Sequence, residues 1–112
     1  MVWKFNDEQP IYQQIISQIK ERIVAGEWKA GDKLKSVREL ALEAGVNPNT
    51  MQKALAELES TGLIYSNRTS GRFVTDNEEL IHENKKNLAK DYCNDFFIKL
   101  KSLGITQAEI LE

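Results

Sequence analysis

Asn49, Thr50, Gln52 and Lys53 are polar groups of complementary kind, and they fall within five consecutive positions of the stretch NPNTMQKALAELES, residues 47–60. A planar amide can pair with the two-point edge of adenine, an ammonium can donate to guanine, and a threonine can meet a phosphate or a thymine methyl. At 100° per residue, Asn49, Gln52, Lys53, Ala56 and Ser60 share one arc of a helix, opposite Met51, Ala54, Leu55 and Leu58. Burying the apolar stripe therefore turns outward an arc without a carboxylate, with Glu57 and Glu59 only flanking its later turns. Farther along, Arg68 and Arg72 stand in SNRTSGR, and no acid occurs from Ser60 to Thr75. Such a segment suits a phosphate backbone or a minor groove.

Local punctuation sets the elements that must hold these groups. Ser36 followed by Glu39 is a capping box that starts a helix, and Gly45 ends it. Asn47 caps a second helix whose first residue is Pro48, and Gly62 closes that one. Only Gly45, Val46 and Asn47 join the two, a three-residue turn containing glycine, so the second helix is held out on a helix-turn-helix corner. Leu40, Ala41, Ala44 and Val46 supply apolar surface beneath the crossing. Leu63-Ile64-Tyr65 and Phe73-Val74 have β propensity, and the turn formers of Ser66 to Arg72 make them a hairpin with a mobile tip. The order is helix-turn-helix plus wing.

These residues resemble the winged-helix domain of the GntR family of bacterial transcription regulators. The family pattern stands here as Pro10-Ile11-Tyr12-Gln13-Gln14-Ile15, the span from Gly26 to Gly31, Leu34-Lys35-Ser36-Val37-Arg38-Glu39-Leu40-Ala41, Val46-Asn47 to Thr50-Met51, Ala54-Leu55, Leu58, Gly62-Leu63-Ile64 and Phe73-Val74. The resemblance implies that Arg38 contacts DNA from the first helix of the pair and that Ser36 and Thr50 touch phosphates. Lys53 occupies a position often held by arginine, and Arg68 and Ser70 fall in the wing. Two departures stand out: Lys35 replaces a proline and adds a positive charge, and Thr69-Ser70 replace a glycine and a basic residue. The expected DNA-binding set is Lys35, Ser36, Arg38, Asn47, Asn49, Thr50, Gln52, Lys53, Arg68, Ser70 and Arg72.

Residues 1–31 supply a platform. Ile11, Tyr12, Ile15, Ile16, Ile19 and Ile23 line one side of a helix opened by Pro10 and closed near Gly26. Trp3 and Phe5 precede it in a segment readable as an edge strand or a clasp, and Trp28 reads as a lid on the core. The net charge of −2 looks unsuited to DNA until it is divided along the chain. Residues 1–75 hold ten Lys/Arg and nine Asp/Glu, whereas residues 76–112 hold five and eight, so the acidity belongs to the tail. Binding depends on the local patch of Lys35, Arg38, Lys53, Arg68 and Arg72.

That tail begins at a cap, Asp76-Asn77, and runs without proline or glycine to Leu103. Ile81, Leu88, Tyr92, Phe96, Leu100 and Leu103 form one stripe, widened by Cys93 and Phe97. A winged domain of this size cannot cover so long a face, so a second surface is required. Gly104 breaks the helix, and Thr106 to Glu109 is another capping box, opening a helix the chain barely continues and pointing to a longer native protein. Two helices after a winged domain resemble the YtrA-type branch of the family, which implies dimerisation through the tail and control of a transporter operon. The expected dimer interface is Ile81, Leu88, Tyr92, Phe96, Phe97, Leu100 and Leu103.

The expected architecture is thus mainly α with a small β-hairpin: a winged helix-turn-helix domain over residues 1–75 and a two-helix dimerisation tail over residues 76–112. The expected function is a homodimeric, sequence-specific DNA-binding regulator, a repressor on a palindromic operator. The rival is a winged-helix protein-interaction module without DNA binding, since fold alone does not fix function. No catalytic site is expected, because His82 has no nucleophile to serve. No cofactor or metal is expected either. A small-molecule effector would lodge beside the tail, where Tyr92, Phe96 and Phe97 could line it, but the residues name none. The single Cys93 excludes an internal disulfide, and with no signal peptide or membrane-length apolar run a cytoplasmic location is expected.

Overall fold

The computed structural model describes residues 2–106. The elements run α1 Ile11–Val24, α2 Val37–Ala44, α3 Pro48–Thr61, β1 Ile64–Asn67, β2 Gly71–Val74 and α4 Glu78–Ser102. Three helices and an antiparallel hairpin form a winged helix-turn-helix, and α4 leaves it as a long arm. The second tail helix, expected from Thr106 to Glu109, extends outside the described residues.

Local chemistry starts and stops the two central helices as the residues require. The Glu39 amide donates to Ser36 Oγ at 3.2 Å and the Ser36 amide to Glu39 Oε1 at 3.3 Å, which completes the capping box. Asn47 Oδ1 accepts from the Asn49 amide at 2.8 Å. Between the helices, Gly45 adopts φ +70°, a left-handed conformation costly to any residue with a Cβ. A methyl group there would meet nothing within 4 Å, so its cost is conformational alone. Gly45→Ala is therefore expected to destabilise by about 1 kcal/mol and lower the melting midpoint by about 4–8 °C. A thermal melt checks this, and an unchanged midpoint would show that the corner tolerates an ordinary residue.

The core forms where α1, α3 and the foot of the wing meet. Ile15, Ile19 and Ile23 of α1 lie at four-residue spacing against Met51, Ala54, Leu55 and Leu58 of α3, all essentially inaccessible. Leu40, Leu63, Ile64 and Val74 close it. Ile11, expected in this face, begins the helix and is exposed.

The segment before α1 is a clasp and not a strand. Gln14 Nε2 donates to the Asn6 and Gln9 carbonyls and Gln14 Oε1 accepts from the Asn6 amide, while Gln18 brackets Lys4 in the same two-way manner. This fixes Trp3 over Arg22, whose guanidinium carbon lies 3.6 Å from the ring centroid. Trp28 approaches Arg22 from elsewhere at 5.9 Å and is packed against the core, as a lid should be. Arg22 itself is only 2% exposed, and burial pushes its pKa below the ordinary arginine value.

The wing is longer than its β propensity suggests. Ile64 pairs with Val74, Tyr65 with Phe73, Ser66 with Arg72 and Asn67 with Gly71, so the tip contains only Arg68, Thr69 and Ser70. Asn67 organises that tip, its side-chain oxygen accepting from the Thr69 amide and hydroxyl, both at 3.1 Å. On the other side of β2, Lys33 bridges Phe73, with Leu34 N donating to Arg72 O at 2.9 Å and Val74 N to Asp32 O at 2.8 Å. This third edge widens the hairpin across the sheet, while the Ser66–Arg72 and Asn67–Gly71 pairs lengthen it toward the tip.

Asn77 caps α4 by accepting from the Leu80 amide at 3.1 Å. Leu80 and Ile81 pack against the winged core, and Tyr92 donates its hydroxyl to the Glu21 carboxylate of α1. Burial first and Glu21 second push that phenol up to about 12. No residue of α4 is fully buried.

Candidate nucleic-acid interface

Asn49, Gln52, Lys53, Ala56 and Ser60 of α3 are exposed together, and Thr50 is half-buried at their edge. The outward arc is thus present. Arg38, on the first turn of α2, and Arg68, at the wing tip, are exposed and form no ion pair among the described residues. Lys53 rests over Tyr12, its Nζ 3.8 Å from the ring centroid, which holds the ammonium at the N-terminal end of the arc without neutralising it. Three uncompensated cations therefore lie on α2, α3 and the tip of the wing.

Other members of the expected set are already engaged. Lys35 donates to Glu43 Oε2 at 2.7 Å, and this bond, with a second from Trp3 Nε1, holds the Glu43 carboxyl below the usual carboxylate range. Glu43 in turn raises Lys35. Ser36 and Asn47 spend one oxygen each on helix caps, although the Ser36 hydroxyl proton remains available to a phosphate oxygen. Ser70, in the tip, is half-buried.

Arg72 departs furthest from expectation. It lies within β2 and not on the turn, two residues before the buried Val74, so the strand's period of two turns it inward toward α3. Arg72 Nε donates to Glu59 Oε1 at 3.0 Å, and Nη2 donates to Gln52 Oε1 at 3.2 Å. The same Glu59 oxygen accepts from the Ser66 hydroxyl. Glu59, placed at the margin of the arc by the helical wheel, is thus the carboxylate that ties wing to helix. The signal was present in the i, i+7 spacing of Gln52 and Glu59, which puts them in one row two turns apart.

On the tail, Tyr92, Phe96 and Leu103 are 49%, 55% and 74% exposed, and Leu88, Phe97 and Leu100 are half-buried. Ile81, expected to face a twin chain, instead packs on its own core, because α4 crosses α1 in its first turns. Ile98, outside the expected stripe, is 64% exposed and lies on the other side of the helix from Phe96.

Residues 11–74 match the model of the bacterial regulatory proteins of the gntR family. The HTH-type transcriptional repressor YtrA of Bacillus subtilis (strain 168) is 39% identical over 104 residues, covering 92% of this chain and 80% of YtrA. The structure of a GntR family transcriptional regulator from Listeria monocytogenes is similar at TM-score 0.87 and 43% identity, over 96% of this chain and 94% of that one. AraR(DBD), solved in complex with operator ORX1, is similar at TM-score 0.60 and 29% identity, over 67% of this chain and 99% of that one. With the capped corner, the outward arc and the wing in place, the chain belongs to the GntR family of DNA-binding transcriptional regulators, which are not enzymes.

Proposed function

We propose that the protein is a homodimeric repressor that occupies a two-fold symmetric operator. The observation that carries this reading is the set of uncompensated cations, Arg38, Lys53 and Arg68, spread over three elements around an exposed row of amides. Cations placed on α2 and on the wing suit the two phosphate strands flanking a major groove, while the first turns of α3 suit the base edges within it. In this reading residues 1–75 bind DNA and the tail from residue 76 joins two copies, with Leu88, Tyr92, Phe96, Phe97, Leu100 and Leu103 at the interface. Two copies related by a dyad present two reading helices to a palindrome. YtrA is named as a repressor, and AraR(DBD) was solved on an operator; both support the same task here.

Selection of bound duplexes from random DNA tests the proposal. The expected result is an inverted repeat with half-sites about one helical turn or more apart, bound with an affinity that falls steeply as salt rises. Absence of enrichment, with retention on DNA indifferent to salt, would favour a winged helix used for protein contact.

A further inference from the structure

The bond between Arg72 and Gln52 bears on which bases the protein reads, and it rests on the proposed role of α3 as the reading helix. Glu59 Oε1 collects Ser66 Oγ from β1 and Arg72 Nε from β2, two side chains that stand directly opposite one another in the hairpin register. Of the two remaining guanidinium nitrogens, Nη2 donates to Gln52 Oε1 at 3.2 Å. The Arg72 side chain is only 21% exposed and its charge is matched by Glu59. A phosphate contact needs the opposite arrangement, an exposed guanidinium with its charge uncompensated, as at Arg38 and Arg68.

For Gln52 the consequence is a fixed amide. Bidentate pairing with adenine requires the glutamine oxygen to accept from N6 while the nitrogen donates to N7. Here the oxygen is turned toward the wing and held there by a cation, so the NH₂ group is the part aimed away from the protein. A group that only donates is best met by the paired acceptors N7 and O6 of guanine or by O4 of thymine, whereas in adenine the N7 acceptor stands beside an amino group that the donor would face unpaired. It mismatches the amino groups of adenine and cytosine.

We propose that Glu59 and Arg72 are positioning residues that lock Gln52 as a hydrogen-bond donor, so that the protein selects a keto base, guanine or thymine, opposite Gln52 in each half-site. Arg72 then sets sequence preference through Gln52 and makes no phosphate contact.

The test is selection from random duplexes with the parent chain, Gln52→Ala, Arg72→Ala and Glu59→Gln, each first checked for a parental melting transition. Gln52→Ala identifies the base position it reads, as the one whose preference disappears. The expected results are guanine or thymine at that position with the parent, and admission of adenine there with Arg72→Ala, while the slope of log affinity against log salt stays parental. Glu59→Gln, which keeps an acceptor for Ser66 but loses the charge that holds Arg72, is expected to broaden the same position to a smaller extent and serves should Arg72→Ala not fold. A parental preference for adenine at that position would overturn the proposal, as would a Gln52→Ala selection identical to the parent's. So would an Arg72→Ala protein whose consensus is intact but whose salt slope falls by about one per subunit, the mark of a lost phosphate contact. A parent chain that enriches no sequence at all would instead overturn the regulator reading on which the inference stands.

Discussion

Phe96→Asp is expected to leave a folded monomer that binds single half-sites weakly. Phe96 is 55% exposed on an arm from which no side chain is fully buried, so the substitution removes little from the fold of one chain. In the proposed dimer the loss is larger. A phenylalanine offers 150–250 Å² in all, so roughly 100 Å² per chain remains to be covered, worth about 2.5 kcal/mol at 25 cal/mol per Å². A dyad repeats the loss, and each aspartate adds a carboxylate to an apolar seam. Dimer affinity should fall by more than about a thousandfold, since each 1.4 kcal/mol is a factor of ten. Sedimentation at micromolar concentration reads the outcome directly. A variant that still sediments as a dimer, with parental operator affinity, would place the interface elsewhere.

The apolar arm was legible because a helical stripe is a property of spacing alone, and the same holds for the corner that carries α3. Ser36 with Glu39, and Asn47 with Pro48, are chemical signals read within four residues, and the helix starts fall where they place them. What sequence did not disclose depends on partners far along the chain. The wing is extended by Asp32 to Leu34, about forty residues before β2, and no local propensity announces that pairing. Arg72 reads as a loop cation until its partners, 13 and 20 residues away, are brought alongside. Arg22 stands outside the apolar row expected for α1, and the clasp through Gln14 and Gln18 brings Trp3 across it. The arc of α3 and the exposed arginines Arg38 and Arg68 were therefore visible early, whereas the division of the basic residues into ion-paired groups and groups without an ion pair among the described residues was not.

That division makes Arg38 the residue whose loss should cost DNA binding most. It is exposed on the first turn of α2, forms no ion pair among the described residues, and takes no part in the Ser36–Glu39 cap or in the core. Arg38→Ala should leave the melting midpoint within the error of the parent's, because nothing in the fold leans on its guanidinium. A charged hydrogen bond to phosphate is worth about 1.5 kcal/mol or more. Present in both halves of a dimer, its loss should weaken operator binding about a hundredfold, and the slope of log affinity against log salt should fall by about two. Lys53→Ala should weaken binding as well, but with a different signature. Its ammonium stands over Tyr12 in the second turn of α3, and if it meets a base edge in the proposed complex, sequence preference should change together with affinity. Fluorescence anisotropy over a salt series, with the selected operator and a scrambled duplex, separates the two behaviours. If both variants bind as the parent does, neither side chain meets DNA, and the exposed row on α3 serves some other surface.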